Sequence, residues 1–241
     1  MKLEGRRILI TGGSGALGSE LIPLLTAEGA EVVAPTHKEL PVEDVIACVE
    51  AAKEPYDLVI HTAAWTNVPG AELLKNRERV IDVNIFGPAN IAYAFSKKSK
   101  IVYISTDYVY EGKEGNYTVK SHPKPFCFYG FSKLAGEAYL TKTDLILRTS
   151  FVKRGTWGED KKQLTKAFKD VYTSKDWVDV IAKKMVEAIC KNKKGVLNIG
   201  TKRKTVYSLA KEEFPKVEPI SCTDLKLLYD YPVDCSMKSS I

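Results

Sequence analysis

A glycine-rich turn between a short β-branched run and a helical pattern frames what this chain can become. Arg7–Ile10 reads as a strand, and Thr11-Gly12-Gly13-Ser14-Gly15-Ala16-Leu17-Gly18 follows it directly. Leu17, Leu21, Leu24 and Leu25 then recur at helical spacing to about residue 28. Gly13, Gly15 and Gly18 fit G-x-G-x-x-G. After a strand and before a helix, such a turn lets backbone approach a pyrophosphate and aims helix-terminal N–H groups at it. The residues expected to make that contact are Gly12, Ser14, Gly15, Ala16, Leu17 and Gly18. Pro23 lies inside the helix and removes one hydrogen bond, so a kink or a late start is expected.

The alternation continues downstream. Glu31–Ala34 reads as strand, Val42–Ala52 as helix and Asp57–Ile60 as a buried strand. A helical stretch covers about 73–97, Ile101–Ile104 is a strand, 127–141 a helix and Leu145–Leu147 a strand. Strands separated by helices imply βαβ units and a parallel sheet. Past Phe151 one helix (Trp177–Cys190) and one strand (Val196–Ile199) remain clear. The expected fold is α/β: a Rossmann-type doubly wound parallel sheet over 1–150, with a small C-terminal lobe over 151–241. Segments of the two are free to interleave.

Composition narrows the function classes. With 44% hydrophobic and 27% charged residues in 241, the chain can bury a core, which excludes global disorder. The net charge of +6 is lopsided: residues 1–150 carry 17 basic and 18 acidic side chains, and 151–241 carry 19 and 12. A basic last third suits nucleic acid, a membrane surface or a phosphorylated small molecule. The five cysteines are scattered, with no C-x-x-C and no metal-ligand spacing, so buried thiols in a reducing compartment and no metal are expected. Ile8-Leu9-Ile10 is too short an apolar run for a signal peptide, and no stretch suits a membrane span. These features imply a cytoplasmic protein.

Two further clusters carry chemistry. The strand Glu31–Ala34 runs into Pro35-Thr36-His37-Lys38 with no carboxylate at its tip. An acid there would take a ribose 2′-hydroxyl, whereas Thr36, His37 and Lys38 suit a 2′-phosphate. That leans to NADPH over NADH. Tyr129-Gly130-Phe131-Ser132-Lys133 is Y-x-x-x-K, and on a helix both side chains share a face. A neighbouring ammonium lowers a phenol's pKa, which makes Tyr129 a usable general acid/base. Ser105-Thr106-Asp107 follows a parallel strand, where open α/β sheets bind ligands, and a hydroxyl there polarises a carbonyl. His61, at another strand end, reads as structural.

The glycine loop, Ala63-Ala64, Ser105–Tyr110 ("STDYVY") and Tyr129–Glu137 ("YGFSKLAGE") stand in one order. Together they resemble the extended short-chain dehydrogenase/reductases, and within them the dTDP-4-dehydrorhamnose reductase family. Arg79–Ala92 ("RVIDVNIFGPANIA"), Tyr172–Ala182, Gly195–Thr201 and Tyr231–Met237 also look related. The resemblance implies hydride transfer from NAD(P)H to the C4 carbonyl of a nucleotide-activated 4-keto-6-deoxyhexose, in deoxysugar or L-rhamnose biosynthesis. It implies that Thr106 hydrogen-bonds the carbonyl oxygen and Tyr129 donates the proton. Lys133 would lower the Tyr129 pKa and hold the nicotinamide ribose, and Asp107 would orient a sugar hydroxyl. Ala63, Ala64 and Trp65 would line the cofactor, and Thr66, Tyr108, Phe151 and Lys153 the substrate. The 151–241 lobe becomes a reduced substrate-binding lobe.

Sugar-nucleotide dehydratases of this superfamily carry Thr-Asp-Glu. Here Tyr108 follows Thr106-Asp107, which favours carbonyl reduction over elimination. Other departures are Phe151 for the family's Trp after Arg-Thr-Ser, Pro41 and Pro69 for acidic residues, and a short segment between Phe151 and Tyr172. Lys153-Arg154 and Lys202-Arg203-Lys204 are candidates for a nucleotide diphosphate. The partner expected is a nucleotide sugar, with no nucleic acid and no membrane, and a homodimer is compatible. The alternative reading is a non-catalytic regulatory subunit that binds a dinucleotide or sugar nucleotide. An intact Thr106, Tyr129 and Lys133 set favours the enzyme.

Overall fold

Six short apolar strands pair in parallel at the centre of the computed structural model, which describes residues 2–157, 164–224 and 232–241. They are β1 (Arg7–Thr11), β2 (Glu31–Val33), β3 (Leu58–His61), β4 (Lys100–Thr106), β5 (Leu145–Thr149) and β6 (Gly195–Ile199). Their spatial order is β6-β5-β4-β3-β1-β2. In-register pairs Ile10↔Ile60, Ile60↔Val102 and Val102↔Leu145 run a row of aliphatic residues across the sheet. The strands are continuous hydrophobic runs because helices cover both faces.

Side-chain alternation sorts the core into two layers. On one face Ile8, Ile10, Ile60 and Leu147 pack with Leu21 and Leu25 of α1 (Gly18–Ala27). Ile181, Met185 and Ile189 of a later helix complete that layer. On the other face Leu9, Val59 and Ile101 meet Cys48 of α2 (Val45–Ala51) and Ile91 and Phe95 of α3 (Gly87–Phe95). Burying each such side chain contributes about 1.5–3 kcal/mol. The chain winds outward in both directions from β1, whose neighbours are β2 and β3. Sheets of this kind open a ligand crevice beyond the strand ends at that reversal.

Helix α1 begins at Gly18, one residue after Leu17 opens its apolar pattern, and contains Pro23. The helical stretch expected over 73–97 is segmented. A 3-10 turn (Leu74–Asn76), an α-turn (Arg77–Ile81) and a π-turn (Asp82–Phe86) precede α3. Pro88 in the first turn of α3 cannot donate to the Asn84 carbonyl, and Gly87 N–H bonds the Asp82 carbonyl with π spacing instead. Helix α4 (Phe128–Glu137) is capped by Cys127, and α5 is Val178–Cys190.

Past residue 151 the chain divides its contributions. Helix α5 packs on α1, and β6 extends the main sheet beside β5. The remainder forms two- and three-residue strand pairs: Phe151–Val152 with Asp176–Trp177, Lys166–Phe168 with Glu218–Ile220, and Tyr172–Thr173 with Lys204–Thr205. A small apolar cluster of Ala167, Ala210 and Val217 under Trp157 and Phe214 holds this part together. Tyr231 lies outside the described residues. No helix among the described residues is long and apolar enough to cross a membrane. Cys48, Cys127 and Cys235 are buried free thiols.

Candidate active site

The ends of β1, β3, β4 and β5 open into a cleft of about 730 Å³. One wall is the glycine loop. Gly12 has φ +72°, and a Cβ there would stand 2.7 Å from the Ala63 backbone nitrogen, so only glycine lets the two loops abut. A Cβ on Gly15 would meet only the Gly12 carbonyl, at 3.1 Å, and otherwise project into open space. No side chain caps the N-terminus of α1. A backbone cradle beside an uncapped helix end fits a pyrophosphate.

The floor is pinned by buried polar contacts. His61 Nδ1 lies 2.7 Å from Thr11 Oγ1, its ring stacks on Tyr103, and burial pushes its pKa down to about 3. It is a neutral structural group. Thr62 Oγ1 donates to the Thr11 carbonyl at 2.7 Å. Asn84, in the π-turn, accepts from Trp65 N at 2.8 Å and donates to Ser132 Oγ at 3.0 Å. That carboxamide ties the strap after β3 to α4.

Thr106 is the last residue of β4. Its Oγ1 accepts from Tyr108 N at 3.2 Å and donates to Asp107 Oδ1 at 3.1 Å. The Tyr129 phenol lines the same cleft beside this hydroxyl. A carbonyl oxygen entering between Thr106 and Tyr129 would therefore meet two hydroxyl groups. Asp107 is 1% exposed, its Oδ2 has no hydrogen-bond partner among the described residues, and burial pushes its pKa up to about 6. A buried carboxylate oxygen with nothing to accept is suited to a ligand hydroxyl.

Tyr129 and Lys133 both reach the cleft from α4, as the i, i+4 spacing predicts. Their electrostatics differ from the expectation. Burial, reinforced by the Asp107 charge, raises the Tyr129 pKa, and the neighbouring Thr106 hydroxyl opposes it. The Lys133 ammonium stands over the Tyr103 ring, 4.2 Å from its centroid, and does not lower the phenol's pKa in this geometry. Desolvation pulls Lys133 down to about 7 against the Glu137 charge. A protonated Tyr129 is the form a proton donor needs.

Behind these groups lies a buried ion pair. Arg148 donates to Glu137 from Nε at 3.0 Å and from Nη2 at 2.7 Å. Ser105 Oγ donates to the same carboxylate at 2.5 Å, and Arg148 Nη1 reaches Tyr110 Oη at 3.0 Å. The pair joins β4, β5 and α4 directly behind the three groups of the site.

Most residues anticipated from the sequence meet in this cleft. Gly12, Ser14, Gly15, Ala16, Leu17, Gly18, His37, Ala63, Ala64, Trp65 and Thr66 line it, with Thr106, Asp107, Tyr108, Tyr129, Lys133, Phe151 and Lys153. Thr36 and Lys38 are not on its walls. Thr36 donates from N and Oγ1 to Glu39 at 2.7 and 2.9 Å, and Lys38 is exposed. Arg203 pairs with Asp234 over Tyr172, Lys204 pairs with Asp176, and Arg154 lies over Trp177. Those cations serve packing, whereas Lys153 faces the cleft. Trp177 is buried core and donates Nε1 to Glu212, while Trp157 lines the cleft. Sequence reasoning missed Arg79, Asn84, Thr149 and Lys175. The signal for Asn84 was the 79–92 motif around it.

Comparison with known proteins agrees with this geometry. The chain is 35% identical over 184 residues to a dTDP-4-dehydrorhamnose reductase of Aggregatibacter actinomycetemcomitans, covering 73% of this chain and 60% of that protein. It is 36% identical over 159 residues to a probable low-salt glycan biosynthesis reductase of Haloferax volcanii, covering 59% of this chain and 52% of that one. The matched region thus spans about half to three fifths of these curated relatives. Among solved structures, a dTDP-4-dehydrorhamnose reductase of Clostridium acetobutylicum superposes with a TM-score of 0.85 at 25% identity, covering 97% of this chain and 90% of that one. The Bacillus anthracis enzyme, solved in complex with NADP, gives 0.84 at 26% identity, covering 98% and 91%. The family model described as the RmlD substrate-binding domain matches residues 6–188. The chain belongs to the RmlD substrate-binding domain family.

Proposed function

We propose that this chain reduces the C4 carbonyl of a nucleotide-activated 4-keto-6-deoxyhexose, using a nicotinamide dinucleotide held along the glycine loop. The observation that carries this reading is the convergence of Thr106, Tyr129 and Lys133 in one cleft with that loop. The dinucleotide, when bound, supplies the hydride. Thr106 and Tyr129 hydrogen-bond the carbonyl oxygen as negative charge develops on it. Tyr129 Oη delivers the proton, and its raised pKa keeps that proton in place until an alkoxide forms. Lys133 binds ribose hydroxyls as a donor. Asp107 Oδ2 accepts from a sugar hydroxyl and so fixes which carbon faces the hydride.

Tyr108 supports reduction over elimination. It stands where a dehydratase of this superfamily places a glutamate, and its ring packs 4.9 Å from Phe126 and 6.3 Å from Tyr129. A phenol, which ionises at about pH 10, is a far poorer base toward a sugar carbon than the ionised carboxylate of a glutamate. The test is oxidation of NADPH and of NADH with dTDP-, UDP- and GDP-4-keto-6-deoxyhexoses. Turnover with any of them supports the proposal. Tight dinucleotide binding with no turnover on any of them would favour a binding subunit.

A further inference from the structure

Two charged side chains, Arg79 and Glu43, and the His37 imidazole meet at the edge of the cleft beyond β2, and their hydrogen bonding does not close. Arg79, on the turn Arg77–Ile81, donates from Nη1 to Glu43 Oε1 at 2.5 Å. His37 Nε2 lies 2.9 Å from the same oxygen. Arg79 Nη2 lies 3.2 Å from His37 Nε2. To engage Glu43, His37 Nε2 must carry a hydrogen, and it then cannot accept from Arg79. Two donors face each other across 3.2 Å with one carboxylate oxygen between them. A further acceptor at this point would satisfy both.

The position suggests what that acceptor is. In folds of this type, a carboxylate at the end of the second strand takes the ribose 2′-hydroxyl, or a nearby arginine takes a 2′-phosphate. Strand β2 ends at Val33, and no acid stands at its tip. The acid that the fold brings near is Glu43, whose Oε1 is already shared by Arg79 and His37; its Oε2 is buried without a partner among the described residues, and Glu43 is not on the cleft wall, so neither oxygen faces a ribose there. Arg79 and His37 both line the cleft and are exposed at the side chain, at 45% and 62%, while Glu43 is 19% exposed.

We propose that Arg79, with His37, recognises a phosphate monoester on the adenosine ribose, and that Glu43 is the positioning residue that holds the guanidinium in place. This rests on the reading of the cleft as a dinucleotide site. A guanidinium has two donor edges. One is committed to Glu43, and the other remains for a phosphate oxygen, which arginine binds with directed, charge-assisted hydrogen bonds. Arg79 takes over the role that the sequence assigned to Lys38.

The test is direct binding, which needs no sugar substrate. Wild-type protein and Arg79→Ala are titrated with NADPH and NADH, following the fluorescence of Trp65 and Trp157, which line the cleft. Loss of a charge-assisted hydrogen bond is worth about tenfold or more in affinity. The expected result is that wild type prefers NADPH and that Arg79→Ala weakens NADPH at least tenfold more than NADH. Likewise 2′,5′-ADP should displace the dinucleotide from wild type better than 5′-ADP, and this advantage should vanish in the variant. Arg79→Gln, which keeps a donor toward Glu43, gives the same comparison if the alanine variant loses its fold. An equal loss for both dinucleotides, no loss, or a wild type that prefers NADH would overturn the proposal while leaving the dinucleotide site intact. A wild type that binds neither would overturn the site reading as well.

Discussion

Arg148→Leu is the substitution whose cost follows most directly from the structure. Arg148 and Glu137 are 6% and 7% exposed at the side chain, and two donors of the guanidinium fork onto the carboxylate. Removing the cation leaves Glu137 buried with Ser105 as its one side-chain donor among the described residues, and leaves Tyr110 without its Arg148 contact. Breaking a buried pair on one side costs about 3–5 kcal/mol. For a chain of this size each kcal/mol moves Tm by roughly 2–4 °C, so the expected drop is roughly 6–20 °C. The double variant Glu137→Leu/Arg148→Leu removes both charges and should regain part of the loss, because two apolar side chains leave no orphaned charge. Urea unfolding of wild type, the single and the double variant, followed by circular dichroism, measures this. A single-variant cost below about 1 kcal/mol, or a double variant less stable than the single, would refute the electrostatic reasoning.

Asp107→Asn should stabilise the protein while impairing it. The folded-state pKa of about 6 lies above the ordinary 3.8, so stability is lost as pH rises through that window. The variant should therefore have a higher Tm than wild type at pH 7, converge with it below about pH 4, and turn over substrate more slowly. Lys133→Met tests the opposite sign. The Lys133 pKa is depressed from 10.5 to about 7, so wild-type stability without cofactor should rise with pH across that interval. Thermal melts from pH 7 to 10 should show that rise in wild type and a flatter curve in the variant.

The main sheet was legible because its signals are local. A β-branched run, a glycine turn and a 3.6-residue leucine repeat each report on their own segment, and β1, β3, β5 and α5 fall where those patterns put them. The meeting of Thr106, Tyr129 and Lys133 in one cleft was legible for the same reason: Tyr129 and Lys133 lie one helical turn apart, and Thr106 closes a strand. The short strand pairs past 151 were not, since two or three residues carry no periodicity and depend on partners up to 52 positions away, as Lys166 with Glu218. The unbroken helix expected over 73–97 overlooked what Pro88 does to the Asn84 carbonyl. The Tyr129 pKa was misjudged because spacing reports that Lys133 shares its helix face, not that the ammonium turns to the Tyr103 ring. Arg79 was invisible because only the fold brings it to His37, 42 positions earlier.

The central claim is that Tyr129 donates a proton to a carbonyl in this cleft. Tyr129→Phe removes one oxygen, with the Thr106 hydroxyl keeping its Asp107 contact. Steady-state reduction of a 4-keto-6-deoxyhexose nucleotide by this variant, alongside its dinucleotide affinity, is the most direct test. The account predicts turnover reduced by about 10²-fold or more, with NADPH binding within a few-fold of wild type. Turnover equal to wild type would contradict it.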